Sequence, residues 1–201
     1  MILALDTSTA ACTAALFDSG GHCIASKDEV IGRGHAERLA PMLAELLGGR
    51  PARTILVGVG PGSFTGIRVG IAAAHGLAIG WKAQVCGMAS LALLAASADS
   101  DGDVAAAMNG GHGEVFVQQF DRALQPAGDL LNRPPSAAAA AISAETVVGP
   151  GARLLVEARG FGTAIEAWPK ASRALRLPEA LRSLAAAPVY ARAPDAKATA
   201  A

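Results

Sequence analysis

The chain has 201 residues, of which 52% are hydrophobic and 17% charged, enough for one large domain or two small ones with a substantial core. Its seventeen basic and seventeen acidic side chains cancel, so no global field draws it to a phosphate backbone or an anionic membrane, and RNA binding by this chain alone is not expected. Cys12, Cys23 and Cys86 lack metal-ligand or redox spacing, and residues 1–5 meet Asp6 before a signal peptide could be completed, so a reduced cytoplasm is the expected setting.

Residues 2–5 and 12–17 are short apolar runs, each closed by turn residues, and residues 22–27 follow as a third strand. Together they predict an antiparallel meander with Asp6 at the end of the sheet. Ala36, Leu39, Ala40, Leu43 and Leu47 then recur at helical spacing, widened by Met42 and Leu46, and Gly48-Gly49 supplies the stop, which predicts a helix over 34–47. Residues 54–59 are β-branched and unbroken, the mark of a strand covered on both faces. They run into the loop Gly60-Pro61-Gly62-Ser63-Phe64-Thr65-Gly66-Ile67-Arg68 and a helix over 65–81. A strand at 84–88 and a helix at 90–98 complete the first half.

Residues 97–103 are a polar boundary, and the chain divides there into domains at 1–100 and 101–201. In the second half, residues 104–108 and 114–120 flank Asn109-Gly110-Gly111-His112-Gly113 as a hairpin that reprises the opening of the first. Beyond it lie an alanine-rich segment at 136–141, a strand at 146–148 ending in Gly149-Pro150-Gly151, and a proline-led helix at 178–187.

The helix after the glycine loop carries no formal charge from Val69 to Trp81. A helix that is apolar or small on every face cannot rest one side on its sheet and show the other to water, so both sides should be covered. The run is too short to span a bilayer, which needs roughly 20 apolar residues. The plainer reading is a helix buried wholly within its own domain; the sharper one is a partner. Arg68 in the first turn opposes the helix dipole at a cost of some tenths of a kcal/mol, which a carboxylate of this chain, the preferred reading, or an acidic group on a partner would offset.

The glycine loop has the setting of a phosphate cradle, but Gly66 is followed by Ile67 and Arg68 where a Walker loop needs Lys and Ser or Thr. Position 65 holds Thr65 where a dinucleotide fingerprint needs glycine. A tight turn that brings helix and strand together reads equally well. Asp6 with Thr7, Ser8 and Thr9 is similar to the first phosphate loop of actin-like ATPases, although a carboxylate satisfying turn amides explains one aspartate as readily. His22, His35, His75 and His112 are scattered, with no pair at metal-ligand spacing, and Ser63 lacks the setting of a hydrolase nucleophile. No metal site and no catalytic residue is assigned.

The start Met1-Ile2-Leu3-Ala4-Leu5-Asp6-Thr7-Ser8, the segment His35-Ala36-Glu37-Arg38-Leu39-Ala40-Pro41-Met42, the run Gly58-Val59-Gly60-Pro61-Gly62-Ser63-Phe64-Thr65-Gly66-Ile67-Arg68 and the closing Pro188-Val189-Tyr190-Ala191-Arg192-Ala193-Pro194-Asp195-Ala196 resemble the TsaB (YeaZ) family. The resemblance implies an α/β, actin-like (ribonuclease H-like) fold of two related domains, with mixed sheets flanked by helices. It also implies a non-catalytic role beside the catalyst TsaD, with the ATPase TsaE joining the pair, in threonylcarbamoyl modification of tRNA adenosine next to the anticodon. Where TsaD has His-x-x-x-His, this chain has Gly87 and Leu91. The hairpin Asn109-Gly110-Gly111-His112 departs from the family's Asp-Ala-Arg, and the second half is short for it.

On that reading the partner face comprises His35, Leu39, Met42, Leu43, Leu46, Gly66, Gly70, Ile71, Ala73, Ala74 and Leu77. Without TsaD the same patch is expected to form a homodimer. The nucleotide-facing loops would be Asp6, Thr7, Ser8, Gly60, Gly62, Ser63, Thr65 and Arg68, with no cofactor held tightly by the isolated chain, ATP entering only at the level of the complex, and tRNA met only through it. Two rivals remain open at this point: an actin-like ATPase or phosphotransferase using Asp6 and the Gly60 loop, and a metal-dependent peptidase.

Overall fold

A computed structural model describes residues 1–98 and 100–191. The family-like closing segment therefore lies within it only as far as Ala191; residues 192–196 are outside the described residues. Three antiparallel strands open the chain: β1 (Ile2–Asp6), β2 (Ala11–Phe17) and β3 (Cys23–Val30). The third runs three residues beyond the expected 22–27. After α1 (His35–Leu47), strand β4 (Thr54–Gly58) joins β1 in parallel. Helix α2 (Phe64–Trp81) then leads to β5 (Gln84–Met88), parallel to β4. The short helix α3 (Ser90–Ala96) ends this half.

The second half repeats the plan with shorter pieces: β6 (Val104–Gly111), β7 (Glu114–Phe120), β8 (Leu131–Arg133), α4 (Pro135–Ala140), β9 (Thr146–Val148), α5 (Ala152–Arg159) and β10 (Thr163–Ile165). The first sheet has the order β3-β2-β1-β4-β5 and the second β8-β7-β6-β9-β10, with antiparallel and parallel pairs at the same places in each. The strands thus fall into two sheets either side of residue 100. The chain does not stay with the second sheet to its end, however. From the 3-10 helix Ala171–Arg176 it returns to pack on β1 and β2, and the segment after α6 (Glu179–Arg182) lies on β5. The division at 101–201 therefore needs correcting: residues 171–191 belong spatially with the first sheet. The helix expected over 178–187 is only the single turn of α6, because Leu184 leaves it to pair with Gly87.

Side-chain alternation distributes the strands between three cores. Leu3, Leu5, Cys12, Ala14, Leu16, Ile55 and Val57 point to α1 and α2, whereas Ala4, Ala15, Phe17 and Leu56 point the other way, to α3. From the second sheet Val104, Ala106, Met108, Phe116 and Phe120 meet α3 from its far side, while Ala105, Ala107, Val115 and Val117 face α4 and α5. The layers are therefore α1 with α2, first sheet, α3 with the 3-10 helix, second sheet, α4 with α5. All seven residues of α3 are buried, as a helix between two sheets requires. Its last turn is joined to the second connection between the lobes: Ser97 Oγ accepts a 3.0 Å bond from the Lys170 amide and donates to the Leu93 carbonyl.

Helix α1 is tied to the edge of the first sheet by charge as well as by its apolar stripe. Arg38 forks onto Glu29 of β3 and also reaches Glu45, which pairs with Lys27. These groups are substantially exposed, so the network fixes orientation more than it stabilises the fold.

Candidate functional site

The turn after β1 is pressed against the start of α2. Ser63 caps the helix, its Oγ accepting from the Gly66 amide at 3.2 Å, and Thr7 Oγ1 donates to the Gly66 carbonyl at 2.7 Å. A Cβ on Gly66 would lie 2.0 Å from the Thr7 carbonyl oxygen, one on Gly62 would lie 2.2 Å from that of Ser8, and one on Gly70 would lie 2.5 Å from Thr7 Oγ1. Gly62 and Gly66 thus hold main chain against main chain, and Gly70 makes room for the Thr7 hydroxyl.

Several of the loop's amides are spent inside the chain. Gly60 donates to Ser90 Oγ, Ser63 to the Ser8 carbonyl and Gly66 to Ser63 Oγ. Asp6 lies beneath them, fully buried. Its Oδ1 accepts from the Ser8 amide at 2.8 Å and the Ser8 hydroxyl at 2.7 Å, and its Oδ2 accepts from the Ser90 hydroxyl at 2.6 Å. Burial pushes the Asp6 carboxyl above its ordinary 3.8, against the opposing pull of the two serines. Here the aspartate organises a turn. Of the other loop residues singled out in the sequence, Ser8, Gly62, Ser63 and Arg68 line a cleft between the two sheets, Thr7 and Gly60 are buried below it, and Thr65 is exposed at the start of α2 outside it.

Helix α2 has two unlike sides. Gly66, Ile67, Gly70, Ile71 and Ala74 are turned to the sheet, and burying a side chain such as Ile67 contributes about 1.5–3 kcal/mol. The opposite side, Thr65, Arg68, Ala72, His75, Gly76, Ile79 and Gly80, is exposed, with Ile79 at 83%. The helix is therefore not buried wholly within its own chain. Among the described residues no helix is long and apolar enough to cross a membrane.

Nine of the residues expected on the partner face require correction. His35, Leu39, Met42, Leu43 and Leu46 of α1 and Gly66, Gly70, Ile71 and Ala74 of α2 pack inside the chain. Only Ala73 and Leu77 are half-buried. The apolar period marks the stripe that meets the chain's own sheet. What α1 leaves outside is Ala36, Glu37, Ala40, Pro41, Ala44 and Glu45. Since α1 and α2 cover the same face of the first sheet and touch each other, their outer sides adjoin, with small residues between the polar Glu37, Glu45, Arg68 and His75 and with Ile79 protruding.

Arg68 forms no ion pair among the described residues, contrary to the expectation of a carboxylate. Its guanidinium sits 3.5 Å from the centre of the Phe64 ring and its Nε donates to the Tyr190 hydroxyl at 2.9 Å. Ring contact with a cation contributes roughly 0.5–1 kcal/mol at exposed sites, enough to offset the dipole. The cleft beside it has a volume of about 840 Å³ and takes its walls from both lobes and from residues 189–191. Neither Tyr190 nor Trp168 was singled out as a site residue in the sequence. The available signal was scarcity, since the chain has one tyrosine and two tryptophans.

Gly87, aligned above with a metal-binding histidine of TsaD, exchanges hydrogen bonds of 2.7 and 3.0 Å with Leu184. A Cβ there would lie 2.4 Å from the Ala185 carbonyl oxygen. Leu91 is buried in the core against α3's neighbours. Gly87 could not carry a ligand without moving the segment after α6, here called the C-terminal strap, Leu91 is enclosed in the core, and among the described residues no three His, Cys, Asp or Glu side chains are grouped for a metal. Gly87→Ala is expected to detach the strap locally. Amide exchange should accelerate at Leu184 and Val189 with the sheets unchanged, and undiminished protection there would count against the packing described. The cysteines are all free, and burial pushes the Cys12 thiol up to about 11.

Two mixed sheets of the same strand order, stacked on a shared helix with glycine loops facing a central cleft, define an actin-like fold of two related domains. A family model described as TsaD, tRNA N6-adenosine threonylcarbamoyltransferase, matches residues 24–151. The chain is similar to the tRNA threonylcarbamoyladenosine biosynthesis protein TsaB of Escherichia coli (strain K12), 35% identical over 129 residues that make up 60% of this chain and 55% of that protein. It is likewise similar to TsaB of Haemophilus influenzae, with 37% identity over 60% of this chain and 54% of the other. A solved structure described as YeaZ from Pseudomonas aeruginosa superposes with a TM-score of 0.79 at 32% identity, covering 94% of this chain and 98% of that one. The chain belongs to the TsaB (YeaZ) family, within the group that the TsaD family model defines. It matches about half the length of the curated relatives.

Proposed function

We propose that this protein is a non-catalytic scaffold subunit that binds a TsaD-type threonylcarbamoyltransferase and supports modification of tRNA adenosine. The observation that carries the reading is the bare outer side of α2, small and apolar around Ile79 and continuous with the small outer side of α1. Contiguous apolar surface of this kind marks an association site, and small residues let a partner helix approach closely at backbone distance. The names of the relatives supply the pathway. The sealed Asp6, with the pairing of the Gly60 and Ser63 amides inside the chain, favours a supporting role over the rival ATPase. TsaE joins through the assembled pair, and tRNA is met through the complex. Without its partner the same face pairs with a second copy about a two-fold axis.

Co-purification with the cognate TsaD, followed by light scattering, tests this. An Ala74→Arg change would strike the core, since Ala74 is fully buried. Gly76→Arg is the right probe, because a Cβ at Gly76 meets nothing within 4 Å. It is expected to weaken association about tenfold or more, ~1.4 kcal/mol, with an unchanged fold by circular dichroism. Retained complex and retained dimer in Gly76→Arg would overturn the assignment of this face.

A further inference from the structure

We propose that the cleft between the lobes is a binding site for a planar aromatic molecule carrying a single negative charge. This site meets the outer side of α2 only at Arg68, away from Gly76 and Ile79, and does not depend on the scaffold reading. Its volume, about 840 Å³, falls in the roughly 300–1,000 Å³ range of small-molecule sites. The lining is unusual for this chain. Of five phenylalanines, two tryptophans and one tyrosine in the whole sequence, half, namely Phe64, Phe116, Trp168 and Tyr190, lie on its walls. Aromatic faces and edges drawn from both sheets and the C-terminal strap suit a flat ring system.

The charge follows from Arg68. Stacking on Phe64 and the bond to Tyr190 hold its guanidinium at the rim but use only Nε, so both Nη groups keep their hydrogens undonated among the described residues. The Trp168 indole N–H likewise has no partner among them. Among the described residues no aspartate or glutamate lines the cleft to compete for the guanidinium. A guanidinium fork pre-aimed in this way fits a carboxylate, sulfonate or monophosphate group.

A nucleoside triphosphate requires more than this lining offers. The amides of Gly60, Ser63 and Gly66 on one side are already paired, as are those of Gly149, with the Ile165 carbonyl, and Gly151, with the Ala107 carbonyl, on the other. Among the described residues Arg68 is the one basic side chain on the cleft wall, too little positive charge to hold a polyphosphate. One charge is matched; three or four are not.

A matched pair of fluorescent probes tests the proposal on the full chain: 8-anilinonaphthalene-1-sulfonate and its neutral counterpart 1-anilinonaphthalene. The sulfonate is expected to bind with one-to-one stoichiometry and to quench Trp168. Arg68→Gln should weaken the sulfonate about tenfold while leaving the neutral probe within about twofold. Trp168→Leu should weaken both, and a folded circular dichroism spectrum validates each variant. Sulfonate affinity unchanged in Arg68→Gln, several probes bound per chain, or competitive displacement by magnesium ATP would each overturn the assignment, the last by returning the cleft to nucleotides.

Discussion

Replacing Gly66 by alanine is expected to lower the free energy of unfolding by about 3 kcal/mol, while the same change at Gly76, ten residues along the same helix, should raise it by up to ~1 kcal/mol. Helix propensity favours alanine over glycine at both positions, so the difference in sign isolates tertiary contact. At Gly66 the new methyl would be 2.0 Å from the Thr7 carbonyl oxygen, a main-chain atom fixed by the register of β1 and β2. Relief would require α2 to lift from the sheet and would break the Thr7 hydroxyl bond to the Gly66 carbonyl. At Gly76 a methyl meets open space. Urea denaturation of both variants, at protein concentrations low enough to hold one oligomeric state, reads the pair. A neutral or stabilising Gly66→Ala would mean that helix and turn are farther apart than described.

The second large effect concerns pH. Asp6 is raised above its ordinary 3.8 by burial, so the native state holds the Asp6 proton more tightly than the unfolded chain does. Its contribution to stability is accordingly greatest at low pH. It falls as pH rises from about 3.8 through the raised native value, then stays constant once both states are ionised. Asp6→Asn removes the titration while keeping an acceptor for the Ser8 amide and hydroxyl. The stability of Asp6→Asn relative to the parent should therefore climb across that window and level off above it, by ~1.4 kcal/mol for each unit by which the native value is raised. Using the difference between the two proteins cancels Asp18, Glu29 and Glu45, whose carboxyls are lowered by their own partners and act in the opposite direction. A flat difference curve would show that the carboxylate is solvated in the native state.

The first half was legible because its elements are long and strongly patterned. The unbroken run at 54–59 could only be a covered strand, and it lies between β1 and β5 with both faces packed. In the second half β8 and β10 are three residues each, too short for alternation to register, and α5 and the 3-10 helix were missed because neither shows a helical apolar period of useful length. The partner face was misread for a physical reason. Periodicity in Leu39, Met42, Leu43 and Leu46 reports which side of α1 is apolar, and that side is claimed by the chain's own sheet. Surfaces built from Ala36, Ala40, Ala44 and Gly76 give hydropathy little to detect. The cleft was hidden for another reason, since Phe64, Phe116, Trp168 and Tyr190 come from four distant stretches of sequence.

The burial of α3 on every side has a thermodynamic corollary. Its leucines and alanines are shared property: Leu91 to Ala96 complete the interior of the first lobe and, at the same time, that of the second. Severing the polypeptide near residue 100 would leave one fragment with a greasy helix open to water and the other with half its floor missing. The lobes are thus joined in stability, and the protein should lose its structure in one cooperative step.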